Sequence, residues 1–381
     1  MLGYFLGLGT WGFGGPIATV GYMQRDLVER RRWLDRQDFL DGVALGQTMP
    51  GPLAAQVAMW VGFLSRGALG ALAVAAAFII PSFVAVLAVA VVYVHAQGLP
   101  VVQALFYGVA PAVMAIIALA AVKLARLTNH TDRRLWAITL MIGLVTAITG
   151  AEIALLFIAA GLLMVALDAP PRSLAWLRAR LAHRSDRVGT HAWPALLAAI
   201  PALLALGASG GTLVALGLFF VKAGAFIFGS GLAIVPFLRE GVVHQHHWLD
   251  QRQFLDAVAM GLLTPGPVVI SATFIGYLVG GLAGALVATV AIFAPIYLGV
   301  VVPGRWFVRH RDHPQVAAFV KGATAAAAGA IAGATVVLTR QAVTDWPTAA
   351  IALVALGVLW RFKVPEPLVV VAGALAGLLL H

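Results

Sequence analysis

The chain of 381 residues contains no cysteine, and only 10% of its residues are charged. Without cysteine there are no disulfides, thiolate metal sites or thiol redox chemistry, although this does not fix the compartment. An ordinary soluble domain carries about 25% charged residues, so this chain cannot cover a water-exposed surface. It has no Gly-Lys-Ser/Thr phosphate loop, G-x-S-x-G elbow or H-E-x-x-H motif. These absences argue against ATP-driven transport by this chain and against an enzyme.

Hydrophobic residues make up 61% of the chain, and the mean hydropathy is +0.96. Apolar runs of about 20 residues recur along its whole length, which predicts an all-α polytopic membrane protein. No short apolar run ends in a small-residue cleavage site, so no cleavable signal peptide is expected. The candidate membrane segments are 2–23, 39–64, 69–94, 103–126, 135–149, 151–167, 193–208, 213–237, 254–279, 283–303, 316–338, 347–360 and 364–380.

The first half of the sequence recurs in the second half at an offset of 215 residues. Between 33–52 and 248–267, 12 of 20 positions are identical. Tryptophan, aspartate and proline at matched spacing are not a product of apolar low complexity. The offset slips by one further along, so that Gly108 matches Gly322. We therefore predict two copies of one membrane unit.

Four parts follow from this repeat. Membrane repeat 1 occupies 1–167, a basic cytoplasmic linker 168–192, a connecting helix 193–212, and membrane repeat 2 the remainder, 213–381. One extra crossing between two copies inverts the second relative to the first, which is a common plan among transporters. The net charge of +10 is interpreted as loop lysine and arginine that orient the chain, without nucleic-acid binding. The N-terminus and linker are expected in the cytoplasm and the C-terminus outside.

One loop conflicts with a simple count of crossings. If the first two segments each cross, 24–38 lies outside with five arginines, and its mate 238–253 lies inside with two. The positive-inside rule prefers the reverse. The reverse results if the glycine- and proline-broken segments of each repeat are re-entrant hairpins. Whether these segments span the membrane or turn back is left open, with broken or re-entrant elements favoured.

The broken segments are also where a binding site is expected. Proline removes a backbone donor and glycine allows a helix to stop and restart, and such breaks at matched positions indicate a midplane site. Each restarted helix presents N–H groups and a partial positive charge, which suits a tetrahedral dianion; the alternative is that the breaks only serve packing. The candidate binding residues in these breaks are Gly14, Gly15, Pro16, Gln47, Thr48, Pro50, Gly51, Pro52, Gly229, Ser230, Gly231, Thr264, Pro265, Gly266 and Pro267.

Few charged residues fall inside the apolar segments. Lys222 is one, and it either attracts an oxyanion, reaches an interface or pairs with Glu240. Arg25 and Glu240 occupy the same repeat position with opposite charge and are candidate entrance residues. Asp41 and Asp256 suit a helix dipole and are also candidate proton carriers. Asp35 and Asp250 are predicted helix N-caps, Asp250 with a capping box to Gln253.

At these residues the chain resembles the chromate ion transporter family in its long, two-domain form. The shared elements are F-G-G-P-x-A, W-L-x-x-x-x-F-L-D and a first P-G-P, then F-x-K-x-G, F-G-x-G, a second P-G-P and T-F-x-G-Y. In this sequence they stand at 13–18, 33–41, 50–52, 220–224, 228–231, 265–267 and 273–277. The match covers essentially the whole chain, and the combination is specific although each piece alone is weak.

The resemblance implies export of chromate across an inner membrane, with sulfate as the competing oxyanion and the proton-motive force as the driver. A transporter of sulfate or another tetrahedral oxyanion is the alternative within this fold. A membrane-embedded enzyme or channel component is the alternative from another class. No cofactor and no metal site are expected. The expected partners are the oxyanion and the lipid bilayer, and a homodimer is left open.

Overall fold

The computed structural model describes residues 1–12, 15–49, 51–96, 100–149, 154–170, 210–227, 234–304, 306, 313–362 and 364–380. These residues form helices joined by short turns, which confirms the prediction of an all-α polytopic membrane protein. The helices are α1 (Leu2–Trp11), α2 (Gly15–Met23), α3 (Arg36–Thr48), α4 (Leu53–Ala96), α5 (Pro100–Asn129), α6 (Arg133–Thr149), α7 (Ala154–Asp168), α8 (Gly210–Ala225), α9 (Ile234–Arg239), α10 (Gln251–Leu263), α11 (Ser271–Val301), α12 (Pro314–Ala342), α13 (Trp346–Arg361) and α14 (Glu366–Leu380).

Within the described residues, four stretches are long and apolar enough to cross a membrane, judged by length and composition. They are Leu53–Ala96, Gln103–Asn129, Val268–Val301 and Pro314–Arg340. The remaining apolar helices are shorter. Nearly all of the predicted linker and the whole of the segment 193–208 lie outside the described residues, so the proposed division of the chain there stays a prediction.

The first broken segment of each half folds back on itself. The Tyr4 hydroxyl of α1 lies 3.4 Å from the Asp26 carboxylate, in the π-helical turn that continues α2. In a continuous helix, residues 22 apart would lie about 33 Å from each other. In the second half, the rings of Phe219 in α8 and Trp248 lie 5.9 Å apart. We name the α1/α2 pair hairpin 1 and the α8/α9 pair hairpin 3.

The second broken segment of each half is also a hairpin. The indole Nε1 of Trp60 in α4 donates to the Asp38 carbonyl at the start of α3, at 2.9 Å. In the second half, a Cβ on Gly261 would lie 2.7 Å from the Val268 carbonyl oxygen, just beyond the turn. α3 and 53–65 form hairpin 2, which turns at 49–52. α10 and 268–279 form hairpin 4, which turns at 264–267.

These hairpins are too short to cross the bilayer. α3 and α10 have 13 residues each, which is a length of roughly 20 Å, against a hydrocarbon core of about 30 Å. The broken segments are therefore re-entrant elements with a tip, where the chain turns, and a base, where both arms end. The first two candidate membrane segments of each half thus turn back and do not cross as single helices. Turning back was one of the two alternatives that the sequence left open.

A reversal follows hairpin 2 and hairpin 4 at the same place in the repeat. Arg66 and Gly67 have φ/ψ of −144°/28° and 61°/−148°, and Gly280 and Gly281 have −144°/25° and 59°/−148°. The Thr273 and Thr289 hydroxyl oxygens, 16 residues apart, consequently lie within 2.7 Å of each other. After each reversal a long arm, 68–96 or 282–301, leaves the hairpin base and runs through the molecule.

Each long arm ends beside the hairpin of the other half. Tyr93, near the end of α4, packs against Phe274 of hairpin 4 with ring centroids 5.1 Å apart. Gly304, just beyond α11, lies beside Trp60 of hairpin 2. Met1 and Ser65 lie close together, with their side-chain sulfur and oxygen 3.5 Å apart, so the bases of hairpins 1 and 2 share one face.

The remaining helices exchange partners between the halves. In the first half, α5 packs against α13 and α14 of the second half, and in the second half α12 packs against α6 and α7 of the first. Glycine makes these contacts close: a Cβ on Gly108 would overlap the Gly373 backbone, and one on Gly329 the Thr139 backbone. Small residues at such interfaces let two helix backbones approach. The hairpins are thus held by a scaffold to which both halves contribute.

Candidate functional site

Hairpins of the first half contact hairpins of the second half. The backbone amide of Gly51, at the tip of hairpin 2, donates to the carbonyl of Ile227, which follows α8 in hairpin 3; the N···O distance is 2.5 Å. The tip of hairpin 2 therefore touches the first arm of hairpin 3 through the main chain. Unwound backbone at membrane depth is stable only where it is buried or lines a cavity.

Hairpins 1 and 4 are joined by one side chain. The Ser82 hydroxyl, on the long arm of α4, donates to the Pro265 carbonyl of hairpin 4 at 2.6 Å. The same oxygen lies 3.4 Å from the Gly9 carbonyl in α1. Ser82 is fully buried. Two junctions, Gly51 with Ile227 and Ser82 with Gly9 and Pro265, thus join hairpin 2 to hairpin 3 and hairpin 1 to hairpin 4.

Both Pro-Gly-Pro turns use a glycine backbone that other residues rarely adopt. Gly51 has φ of 143° and Gly266 has φ of 105°. A Cβ on Gly51 would approach Gln56 and Ile296 within 3 Å, and one on Gly266 would overlap the Ser82 hydroxyl. Conformation and close packing both require glycine at these two matched positions.

Helix starts follow each tip. α2 begins at Gly15, α4 at Leu53 and α9 at Ile234, and a short 3-10 turn from Val268 leads into α11. The first N–H groups of a helix lack partners within it and carry partial positive charge. Such starts are suited to a small anion, without a need for several cationic side chains.

The predicted binding residues fall into three groups. Gly51, Pro52, Thr264, Pro265, Gly266 and Pro267 lie at the tips of hairpins 2 and 4, where the Thr264 hydroxyl donates to the Met260 carbonyl at 2.9 Å. Gly15 and Pro16 begin α2, while Gln47 and Thr48 end α3. The third group lies outside the described residues: Gly14, Pro50, Gly229, Ser230 and Gly231. For all three groups, the assignment to a binding site stays a prediction.

Lys222 lies in the last turn of α8, close to the tip of hairpin 3. Its ammonium sits 5.7 Å from the centre of the Phe237 ring, on the other arm of the same hairpin. The side chain is exposed in the protein. Because a charge inside an apolar segment is costly, Lys222 stays a candidate binding residue.

The two candidate proton carriers are both buried. Asp256 accepts a 2.7 Å hydrogen bond from the Tyr93 hydroxyl, which comes from the other half of the chain. Asp41, its repeat mate, accepts a 2.9 Å hydrogen bond from the Gln37 amide of its own helix.

The remaining charged candidates lie at the hairpin bases. The Arg25 Nε donates to Asp26 at 2.9 Å, and Glu240 accepts from the Gln245 amide at 3.2 Å. Asp250 caps α10 with the predicted capping box. Its carboxylate accepts from the Gln253 backbone N–H at 2.8 Å, and the Gln253 side-chain oxygen accepts from the Asp250 backbone N–H. Asp35 occupies the N-cap of α3 without a side-chain hydrogen bond to the helix.

Three buried polar residues escaped the sequence reasoning. Gln56 donates to the Met49 carbonyl at 3.3 Å and so supports the tip of hairpin 2. Ser82 and Tyr93 make the contacts between halves described above. All three stand as single polar groups in apolar runs, and that contrast is the signal that would have identified them. Metal binding has no support here: the described residues contain no cluster of three or more metal-ligating side chains.

Hairpins with matched Gly/Pro breaks inside a helical bundle are a plan found in many multi-pass membrane transporters. The chain belongs to the chromate transporter family, whose sequence profile matches residues 1–166 and 214–378. It is 48% identical to the chromate transport protein of Cupriavidus metallidurans over 99% of this chain and 92% of that protein.

Two further relatives also cover nearly the whole chain. A probable chromate transport protein of Synechococcus elongatus is 47% identical over 99% of this chain and 94% of its own length. The chromate transport protein of Pseudomonas aeruginosa is 30% identical over 98% of this chain and 90% of its own length. No solved structure matches.

Proposed function

We propose that this chain is a secondary transporter that exports chromate across the inner membrane of a bacterial-type cell. The observation that carries the proposal is the joining of broken elements across the two halves, Gly51 with Ile227 and Ser82 with Gly9 and Pro265. Membership of the chromate transporter family supports the substrate, and two close relatives bear names as chromate or probable chromate transport proteins.

The oxyanion occupies the region between the tips. Backbone N–H groups at the four helix starts bind its oxygens, and Lys222 contributes a positive charge from the end of α8. The oxyanion loses its water shell in this region, so several donors are needed to replace those hydrogen bonds. The proton-motive force drives export, with Asp256 and Asp41 as the proton carriers because they are buried carboxylates beside the path.

Orientation follows from the charge at the hairpin bases. The bases of hairpins 1 and 2 carry Arg25, Arg30, Arg31, Arg32, Arg36 and Arg66, whereas those of hairpins 3 and 4 carry Arg239 and Arg252. The positive-inside rule assigns the first set to the cytoplasm, together with the N-terminus, and leaves the C-terminus outside. The two halves are then inverted repeats, an arrangement supported by long arms that run from one set of bases to the other.

Sulfate is the second candidate substrate. Backbone donors recognise charge and tetrahedral geometry, and chromate and sulfate share both. The described tips provide no group that would separate the two anions by chemistry. We therefore propose sulfate as a competitor at the same site, and a sulfate transporter as the alternative function.

Labelled chromate flux into proteoliposomes tests the function. Inside-out vesicles containing the full chain should accumulate chromate when a pH gradient is imposed, and they should lose that accumulation when the gradient is collapsed. Unlabelled sulfate in excess should reduce the initial rate. Flux equal to that of empty liposomes would refute the proposal, and flux of sulfate without chromate would select the alternative.

A further inference from the structure

A cation joins the two arms of hairpin 1 at their base. The Arg31 guanidinium carbon lies 4.8 Å from the centre of the Trp33 ring and 5.3 Å from the centre of the Tyr4 ring. Tyr4 belongs to α1, whereas Arg31 and Trp33 follow the π-helical turn that continues α2. The guanidinium therefore bridges the first arm and the end of the second.

The same place in hairpin 3 holds a histidine. At the offset of 215, Arg31 matches His246, and its two aromatic partners match Trp248 and Phe219. The His246 ring stacks on Trp248 with centroids 4.2 Å apart and planes 8° from parallel. It also lies 5.9 Å from the Phe219 ring of α8, in an edge-on arrangement. The histidine thus bridges the arms of hairpin 3 as the arginine bridges those of hairpin 1.

The backbone around the two residues is matched as closely as their partners are. The N–H of Arg31 donates to the Asp26 carbonyl at 3.0 Å, and the N–H of His246 donates to the Gly241 carbonyl at 2.9 Å. The residue that follows has φ of 50° in both halves. The halves therefore differ here in the chemistry of one side chain and agree in its placement.

That chemical difference is the charge. A guanidinium stays charged, whereas an imidazole becomes a cation only when it takes up a proton, a change that falls between pH 5 and 8 for this residue type. A cation is attracted by the face of an aromatic ring, and a neutral imidazole lacks this attraction. His246 is exposed, so it can exchange protons with the solution at the bases of hairpins 3 and 4.

We propose that His246, Trp248 and Phe219 form a proton-sensitive clamp across the base of hairpin 3. The arginine contact of hairpin 1 is its permanently charged counterpart. Since the cation is the protonated form, the added stabilisation is present at low pH and is lost as the pH rises through the range of histidine. The clamp goes beyond the proposed function, and only its effect on chromate flux rests on that function.

Other charges surround the clamp. Lys222 lies 5.7 Å from the centre of the Phe237 ring, which stacks on Phe219, so it adds a positive charge to the same aromatic cluster. Glu240 accepts from the Gln245 amide at 3.2 Å. The remaining charged or titratable residues of the second arm and the start of α10 are Arg239, His244, His247, Asp250 and Arg252. Within the described part of the chain, no hydrogen bond or ion pair joins any of these groups to the His246 ring, so a proton on the ring acts through the aromatic contacts.

The melting temperature of the purified full chain tests the clamp without any transport. Wild type should exceed His246→Gln by a larger margin at about pH 5 than at about pH 8. The other histidines are common to both proteins, so the change in this margin reports on His246. His246→Arg copies hairpin 1, and its margin over His246→Gln should be the same at both pH values. His244→Gln is the matched control, and its difference from wild type should not change with pH.

Two further variants test the aromatic partner and the repeat. In a Trp248→Leu background, the pH-dependent part of the margin between histidine and glutamine at position 246 should vanish. Arg31→His should give hairpin 1 a pH-dependent stability of the same sign. Arg32→His, at the adjacent exposed position, should not.

Several results would overturn the clamp. A margin of wild type over His246→Gln that is equal at both pH values would do so, and so would a pH-dependent margin that survives Trp248→Leu. If His246→Gln fails to fold, wild type and His246→Arg decide, because their stabilities should converge at low pH and separate at high pH.

Chromate flux measures the consequence for transport. A charged clamp holds the arms of hairpin 3 together and slows their movement. The ratio of wild-type flux to His246→Arg flux, taken in the same gradient so that the driving force cancels, should be near one when the face with the bases of hairpins 3 and 4 is acidic. It should rise by about two- to fivefold when that face is alkaline, as expected for one exposed cation–π contact.

The two measurements separate the clamp from the transport function. A pH-dependent melting margin in a protein without flux refutes the proposed function and keeps the clamp. Normal flux with a pH-independent margin keeps the function and refutes the clamp. A flux ratio that responds to the pH of neither face would overturn the effect of the clamp on transport.

Discussion

The Tyr93 hydroxyl binds the Asp256 carboxylate at 2.7 Å and thereby ties the long arm of one half to the hairpin of the other. At the offset of 215 that pairs Asp41 with Asp256, the counterpart of Tyr93 is Val308. Valine has no hydroxyl, so the sequence allows this hydrogen bond in only one of the two halves. The bond lies at hairpin 4, next to Leu255.

Tyr93→Phe should loosen the packing of the end of α4 against hairpin 4. A buried acceptor that loses its donor costs about 1–3 kcal/mol, and opening gives the carboxylate access to water. The chain has no cysteine, so Leu255→Cys provides a single reporter thiol. We expect faster maleimide labelling of this thiol in Tyr93→Phe than in the tyrosine parent. Tyr277→Phe serves as the control, and equal labelling rates in all three would contradict the role of the bond.

Alanine at either Pro-Gly-Pro glycine should abolish most transport. Gly51→Ala and Gly266→Ala each force a Cβ into a backbone conformation that costs about 1–3 kcal/mol and into contact with Gln56 or Ser82. Initial chromate flux, corrected for protein in the vesicle, measures the effect. Gly299→Ala, where a Cβ meets nothing within 4 Å, should transport normally. Normal flux in Gly51→Ala would show that the tip tolerates a side chain.

Single cysteines can establish the hairpin topology. Gly3→Cys, Glu29→Cys and Ser65→Cys lie at the bases of hairpins 1 and 2, so an impermeant maleimide should label all three from the same side of the membrane. His95→Cys, at the far end of α4, should be labelled from the opposite side. If Gly3→Cys and Glu29→Cys react from opposite sides, the first segment crosses the membrane and hairpin 1 is wrong.

Lys222→Met should raise the KM for chromate while leaving the protein folded, because it removes the charge at the end of α8 and keeps the length of the side chain. Lys222→Arg should retain most of the affinity. Lys321→Met removes an exposed lysine from α12 and should have no effect. An unchanged KM in Lys222→Met would remove this residue from the site.

The sequence predicted the local features of the fold well. Matched Trp, Asp and Pro residues revealed the repeat, apolar runs located the helices, and Asp250 with Gln253 predicted the observed capping box. These signals are local, so they can be read without knowledge of the partners. The Gly/Pro breaks were also correct, but the pattern of one segment does not tell whether its two arms continue or fold back.

Contacts between distant helices were not predictable in the same way. Nothing in the apolar run around Ser82 indicates that its hydroxyl meets Pro265, which is 183 residues away. Tyr93 is likewise ordinary in sequence, and its hydroxyl acquires a role only through Asp256. The close approach of α5 to α14 depends on glycines whose partners are set by shape, and many other glycines in the chain face open space.

The exchanged packing of α5 and α12 limits how the transporter can move. A rocking motion of one half as a rigid body against the other would have to separate α5 from α13 and α14, and α12 from α6 and α7, at the same time. A motion that keeps these helix pairs together must take place in the hairpins, two of which turn at the glycines of the Pro-Gly-Pro sequences. We therefore expect transport to use a swing of the short re-entrant arms against a stationary, interlocked frame, so that cross-linking that frame leaves transport intact.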